Sequence, residues 1–205
     1  TEPPFGGGYL MPVLSLIRHA PTAWNEQGRM QGRADIPLSD FGHSIAATWQ
    51  LPEEIRHAHW HSSPLTRTQQ TAKILGVNPI IEDRLIEMDW GAWEGETLND
   101  LRKNHSSSMV YQELLGLDFC PSGGESPRMV QERVLPWLQS LKNIRFPVAA
   151  VTHKGLIRAV TALATGWDML GKDPNKLHPN TCRQFMISEN GKVSLLEPDI
   201  PLVET

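Results

Sequence analysis

The sequence predicts an α/β fold, a three-layer α/β/α sandwich built on a mostly parallel central sheet. Two short apolar runs, PVLSLI at 12–17 and PVAAVT at 147–152, each stop within two residues of a histidine. Strand-like stretches of this kind alternate with segments of helical spacing along the chain, the pattern that packs helices on both faces of a sheet. In such sheets ligands gather outside the carboxyl ends of the strands. Polar groups that end different strands are therefore expected to face one crevice.

Residues 24–39 are rich in Gly, Asn, Gln and Asp and read as a loop. Ser39-Asp40 suits a helix cap, with the helix running to about Gln50 before Pro52 interrupts it. His57–Ser62 reads as a second strand, and Pro64 as the opening of a helix to about Leu75 that Gly76 stops. Residues 96–117 carry one or two helices. Ser122-Gly-Gly-Glu-Ser126 is a loop leading into a helix near 127–141, with Pro127 in its first turn and Pro136 discordant inside it. A helix from Lys154 to about Ala164 follows the second apolar run. The segment from Cys182 to Pro198 reads as a hairpin turning at Glu189-Asn190-Gly191.

The 205 residues, 40% of them hydrophobic, suffice for one domain with a sizeable core. No apolar run approaches the roughly 18 residues of a membrane helix. The Pro- and Gly-rich start, 1–11, reads as a flexible tail and lacks the pattern of a secretory signal. Cys120 and Cys182 offer neither a disulfide framework nor zinc spacing, so a reduced cytoplasmic setting is expected. A formal charge of −4 argues against a nucleic-acid surface. An acidic chain that handles an anion must concentrate positive charge locally, so individual arginines matter.

Arg18-His19 ends the first strand. Neutral imidazole is a good nucleophile near pH 7, provided one ring nitrogen is free and the other is fixed by an acceptor such as a backbone carbonyl. The adjacent guanidinium matches two phosphate oxygens. Arg67, in the first turns of a helix after the second strand, is expected to face the same crevice. His153 is a candidate for a further charged donor to a transferring phosphoryl group. Glu87 is the candidate proton donor to a leaving alkoxide, because a carboxyl beside Trp90 and Trp93 would have a raised pKa.

Over most of its length the chain resembles the histidine phosphatase superfamily, the phosphoglycerate-mutase-like proteins. The matching pieces are Leu16–Asn25 (LIRHAPTAWN), Gly28–Gly42, Ser62–Ala72, Arg84–Gly95, Gly123–Ser126 and Val151–Arg158 (VTHKGLIR). The resemblance implies a metal-free, cofactor-free, two-step reaction: phosphate passes to His19, and water then removes it, with Glu87 first acid and then base. It also implies phosphate contacts from Asn25, from the backbone near Gln31-Gly32, and from the amide at Lys154. Residues 12–205 form one catalytic domain on this reading, with 96–141 a helical insertion that sets specificity.

Two departures bear on the reaction. Where the family often has Gly followed by Glu or Gln, this chain has Ala20-Pro21, so a contact from Pro21 is lost while Thr22 keeps a hydroxyl nearby. Mutases of the family resemble a Glu-Arg-His-Tyr pattern at the acid and carry paired arginines for a second phosphate. Here the acid segment is Glu87-Met-Asp-Trp90, and 96–121 hold only Arg102-Lys103. These differences favour hydrolysis of a small phosphorylated metabolite over transfer, with Trp90 among the substrate contacts. The other readings are a phosphoglycerate-mutase-type phosphotransferase and, in a different class, a non-catalytic phospho-ligand sensor. His57-Ala-His59-Trp-His61 would put three imidazoles on one strand face, as a metal site requires, but solvent-facing residues at a strand edge explain it better. Gly6-Gly-Gly8 lacks the Lys-Ser/Thr of a phosphate loop.

Overall fold

The computed structural model describes residues 12–104 and 106–203, so the expected tail at 1–11 lies outside the described residues. Among the described residues six strands form one sheet: β1 (Val13–Arg18), β2 (His59–Ser62), β3 (Ile80–Ile81), β4 (Val148–Thr152), β5 (Thr181–Ile187) and β6 (Val193–Pro201). Their order is β3-β2-β4-β1-β5-β6. The first four in that order run parallel, and β5 and β6 are antiparallel additions at the far edge. The helices are α1 (Ala23–Glu26), α2 (Asp40–Ala46), α3 (Glu53–Arg56), α4 (Thr66–Ile74), α5 (Leu98–Asn104), α6 (Ser106–Glu113), α7 (Pro127–Ser140) and α8 (Lys154–Thr165).

Strand alternation sorts the core into two layers. Leu14, Leu16, Val148 and Ala150 face α7 and α8 through Val130, Val134, Leu156 and Val160. Ile17, Ala149 and Val151 face the opposite way, packing with Ala46, Ile55 and Ala72 from α2, α3 and α4. Both sheet faces are thus covered, which is why β1 and β4 are apolar at successive positions rather than at every second one. The sandwich is the expected one.

Local differences have local causes. The helix expected from Pro64 starts at Thr66, because the Asp35 carboxylate receives the Thr66 N–H and hydroxyl, both at 2.7 Å, and caps α4 from a distant loop. The helix expected to reach Gln50 stops at Ala46. Pro136 removes an N–H inside α7, yet the helix continues because Val130, Val134, Trp137 and Leu138 are buried on one side of it. Of the segment 96–141, α7 belongs to the layer on the sheet. Only α5 and α6 stand apart, around Trp93, Leu101 and Met109.

Candidate active site

The register of the sheet builds the site. Arg18 pairs with Thr152 across β1 and β4, and Ser62 with Val151 across β2 and β4. Each strand then ends one residue on, so His19, Ser63 and His153 emerge side by side. The His19 N–H donates to the Thr152 carbonyl at 2.9 Å, and the His19 and His153 rings meet edge to face with centroids 5.2 Å apart.

His19 is 6% exposed. Its Nδ1 lies 2.7 Å from the Ala20 carbonyl. A carbonyl only accepts, so Nδ1 carries the hydrogen and the Nε2 lone pair is free. Burial, then the charges of Arg18 and Arg67, push its pKa well below the ordinary imidazole value. Both features favour a neutral ring with Nε2 free.

Arg67, fully buried, donates from Nη2 to the Gly32 carbonyl at 2.6 Å, from Nη1 to the Ala34 carbonyl at 2.9 Å, and from Nε to His153 Nδ1 at 3.3 Å. His153 was expected to be a charged donor, and the structure differs. Burial and the neighbouring Arg67 hold its pKa well below the usual range. Because Arg67 only donates, His153 Nδ1 accepts and Nε2 carries the hydrogen toward Ser63 Oγ, 2.8 Å away. In this arrangement His153 links Arg67 Nε to Ser63 Oγ.

Glu87 is 5% exposed and lies against the start of α8. Its Oε2 accepts the Gly155 N–H at 3.0 Å, and its Oε1 accepts the N–H groups of Leu156 at 3.1 Å and Met88 at 2.8 Å. Burial raises its pKa, while those N–H groups and Arg67 pull it down. The direction agrees with expectation; the cause is enclosure under a helix start. Gly155 makes the enclosure possible, since a Cβ there would stand 2.5 Å from Glu87 Oε1.

Arg18 provides an unpaired donor among the described residues. Its Nε is buried and has no protein partner, and burial lowers its pKa although Glu87 opposes this. Thr22, Asn25 and Gln31 interlock. Thr22 donates its hydroxyl to Gln31 Oε1 at 2.7 Å, and Asn25 donates its side-chain amide to the same oxygen at 3.1 Å. That arrangement turns Gln31 Nε2, buried and unpartnered, into a donor. The expected anion contact from the Gly32 backbone is not available. Its N–H donates to Glu94 Oε1 at 3.0 Å and its carbonyl serves Arg67, so Gly32 is scaffold. Lys154 is exposed at the first position of α8, with its pKa lowered by burial of its ammonium and by Arg18. Trp90 is half-buried beside Gly32 and meets Phe119 edge on at 6.0 Å.

Sequence reasoning assigned no role to Ser63, Thr71 or Glu94. Thr71 Oγ1 accepts the Ala20 N–H at 3.1 Å and so orients the turn after His19. A single Ser, Thr or Glu in a segment has no spacing signature that announces such a contact. The strand expected from His57 begins at His59, whose side chain is exposed, while that of His61 is half-buried. His57 caps α3, His59 stacks on Phe146, and His61 meets Trp137 edge on. Among the described residues no group of three or more His, Cys, Asp or Glu is placed to hold a metal, and no helix is long and apolar enough to cross a membrane.

The sequence profile of the histidine phosphatase superfamily (branch 1) matches residues 14–199. The chain belongs to this superfamily. Among histidine phosphatase relatives, phosphoserine phosphatase 1 of Hydrogenobacter thermophilus is 32% identical over 170 residues, covering 78% of this chain and 79% of that protein. A 2,3-bisphosphoglycerate-dependent phosphoglycerate mutase 2 of Gloeobacter violaceus is 29% identical over 166 residues, covering 73% of this chain and 74% of that protein. The mycobacterial glucosyl-3-phosphoglycerate phosphatase, solved in complex with VO3, superposes with a TM-score of 0.77 at 25% identity, over 92% of this chain and 99% of that one. Histidine phosphatase relatives thus carry both phosphatase and mutase names.

Proposed function

We propose that this chain is a phosphomonoester hydrolase working through a phosphohistidine at His19 Nε2. The observation that carries the reading is the pinned His19 ring, its pKa held low, beside Arg18, whose buried Nε has no partner among the described residues. A buried donor left unpaired is costly to retain, and a phosphate oxygen is a partner that the guanidinium fork suits.

In the first step His19 Nε2 attacks phosphorus in line with the ester oxygen. The P–O bond breaks, and Glu87 gives its proton to the departing alkoxide. Arg18, Arg67 and the Gln31 amide lie where the charge of the transferring group develops. In the second step Glu87, now a carboxylate, takes a proton from water, which attacks the phosphohistidine. The N–P bond breaks, inorganic phosphate leaves, and His19 and Glu87 return to their starting states. No metal or cofactor enters these steps.

Hydrolysis is favoured over mutase chemistry because residues 96–121 carry Arg102 and Lys103 in place of an arginine pair for a second phosphate, and Arg102 lies on an exposed face near Glu113. A small phosphorylated metabolite suits the enclosed site, with Trp90 against its organic part and Lys154 near its charged end. A cytoplasmic location belongs to the same proposal. Incubation with a 32P-labelled monoester, followed by acid and base treatment, tests it. The parent protein should retain label that is stable to base and labile to acid, and His19→Ala should retain none. Phosphate release that survives His19→Ala would overturn the reading, as would turnover seen only with phosphoglycerate and its bisphosphate.

A further inference from the structure

The Gly123-Gly-Glu-Ser126 segment stands in none of the roles above, yet its glutamate is the point where two halves of the site are tied together. Glu125 is held bidentately by Arg133 of α7, whose Nε reaches Oε1 and whose Nη2 reaches Oε2, both at 3.1 Å. The same guanidinium donates from Nη1 to the Arg84 carbonyl at 2.6 Å and from Nη2 to the Glu87 carbonyl at 3.5 Å. Glu125 Oε2 also accepts the Asp89 N–H at 3.1 Å, and the Glu125 N–H donates to the Asp89 carbonyl at 2.9 Å. The backbone of the acid-bearing segment, 84–89, is thereby fixed at both ends.

On its other side Glu125 Oε1 takes the Arg33 Nη2 at 3.0 Å, while Arg33 Nη1 lies 3.5 Å from Asp89 Oδ2. Arg33 sits between Gly32 and Ala34, the two carbonyls that Arg67 grips. Burial, the largest single influence, would raise the Glu125 pKa; the hydrogen bonds and charge of Arg133, the Asp89 N–H and Arg33 together outweigh it and keep the group below the ordinary carboxylate range.

We propose that Glu125 is a positioning residue that sets the distance between the Glu87 carboxyl and the anion held by Arg67, acting through Arg133 and Arg33. It touches neither substrate nor the reacting atoms. The proposal rests on the reading of Glu87 as proton donor, and the experiment separates the two.

Glu125→Gln, Glu87→Gln and the double variant are compared with the parent on two aryl phosphates, one with a good leaving group and one with a poor one, across pH. A leaving group that departs unaided needs no proton, so loss of proton delivery shows on the poor one alone. Glu125→Gln should lose about 100-fold in kcat on the poor leaving group, the scale of a 1 Å misplacement, and much less on the good one. Its alkaline limb should shift, and it should add little to Glu87→Gln in the double variant, as expected of two groups that act as one unit. If Glu125→Gln does not fold, Arg33→Gln, whose side chain is 40% exposed, should show the same leaving-group pattern. Equal losses on both esters, or a parent-like profile while Glu87→Gln behaves as an acid knockout, overturn the positioning role alone. A Glu87→Gln variant indifferent to the leaving group overturns both.

Discussion

Replacing Gly155 by alanine tests how closely Glu87 must be held. The new Cβ lies 2.5 Å from Glu87 Oε1, 3.1 Å from Cδ and 3.4 Å from Oε2. Ordinary carbon contacts begin near 3.5 Å, so the carboxyl must withdraw by about 1 Å. That withdrawal breaks the bonds from Gly155 and Leu156, now 3.0 and 3.1 Å. Hydrogen bonds to a charged group are worth about 1.5–3 kcal/mol each, and alanine returns up to about 1 kcal/mol of helix propensity over glycine. The net loss of stability is therefore modest, about 2–5 kcal/mol before the freed carboxyl rehydrates. Catalysis should fall further, since a 1 Å displacement of a proton donor is worth about 100-fold. Steady-state kinetics on an unactivated alkyl phosphate, with Tm measured beside it, should show kcat falling while the variant stays folded at assay temperature. A folded Gly155→Ala enzyme with the parent kcat would refute the role given to the Glu87 nest.

Burial keeps His19 and His153 unprotonated below the usual imidazole pKa, so the unfolded chain takes up protons that the native state refuses. Stability is present above the ordinary imidazole range and declines as pH falls through it toward the native pKa values, by about 1.4 kcal/mol per pH unit for each ring; Glu87, with its raised pKa, acts in the opposite sense. Urea midpoints across this range should show the decline for the parent and a shallower one for His19→Asn. Arg67→Lys leaves the Gly32 and Ala34 carbonyls without their fork, and is expected to raise KM and lower kcat together; an unchanged KM would argue against Arg67 as an anion ligand. Gly42→Ala drives a Cβ into the Pro21 carbonyl oxygen, and should destabilise by about 1–3 kcal/mol through overpacking, read as a lowered Tm with kcat preserved in the folded fraction.

The parallel core of the sheet and the ends of β1, β2 and β4 were legible because an apolar run that stops at a charged or polar residue is a local pattern. Arg18, His19, Arg67 and His153 follow from it, since topology alone brings strand ends together. Less visible was anything decided by a partner distant in sequence. The delayed start of α4 depends on Asp35, thirty-one positions upstream of Thr66. The protonation of His153 depends on which atom of Arg67 faces it. The Gly32 amide was read as an anion donor because the sequence places it in the right loop. Only the fold shows that Glu94 already occupies it. Roles that rest on which hydrogen bonds are already satisfied cannot be read from residue type.

The electrostatics of the site suit both halves of the proposed reaction. Burial, and after it the charges of Arg18 and Arg67, hold the His19 pKa low, which favours the free Nε2 lone pair, and the two arginines are also the charges an arriving dianion would neutralise. Once the phosphoryl group is on Nε2, the ring carries positive character, and the Ala20 carbonyl that fixes Nδ1–H is placed to stabilise it. Glu87 faces the harder demand, because the same carboxyl must release a proton in one step and recover one in the next. Burial favours its neutral form, while three N–H groups and Arg67 favour the carboxylate. Burial is the larger influence, so the net direction is upward, toward the proton donor's form, while the N–H groups would steady the carboxylate that the proposed second step needs.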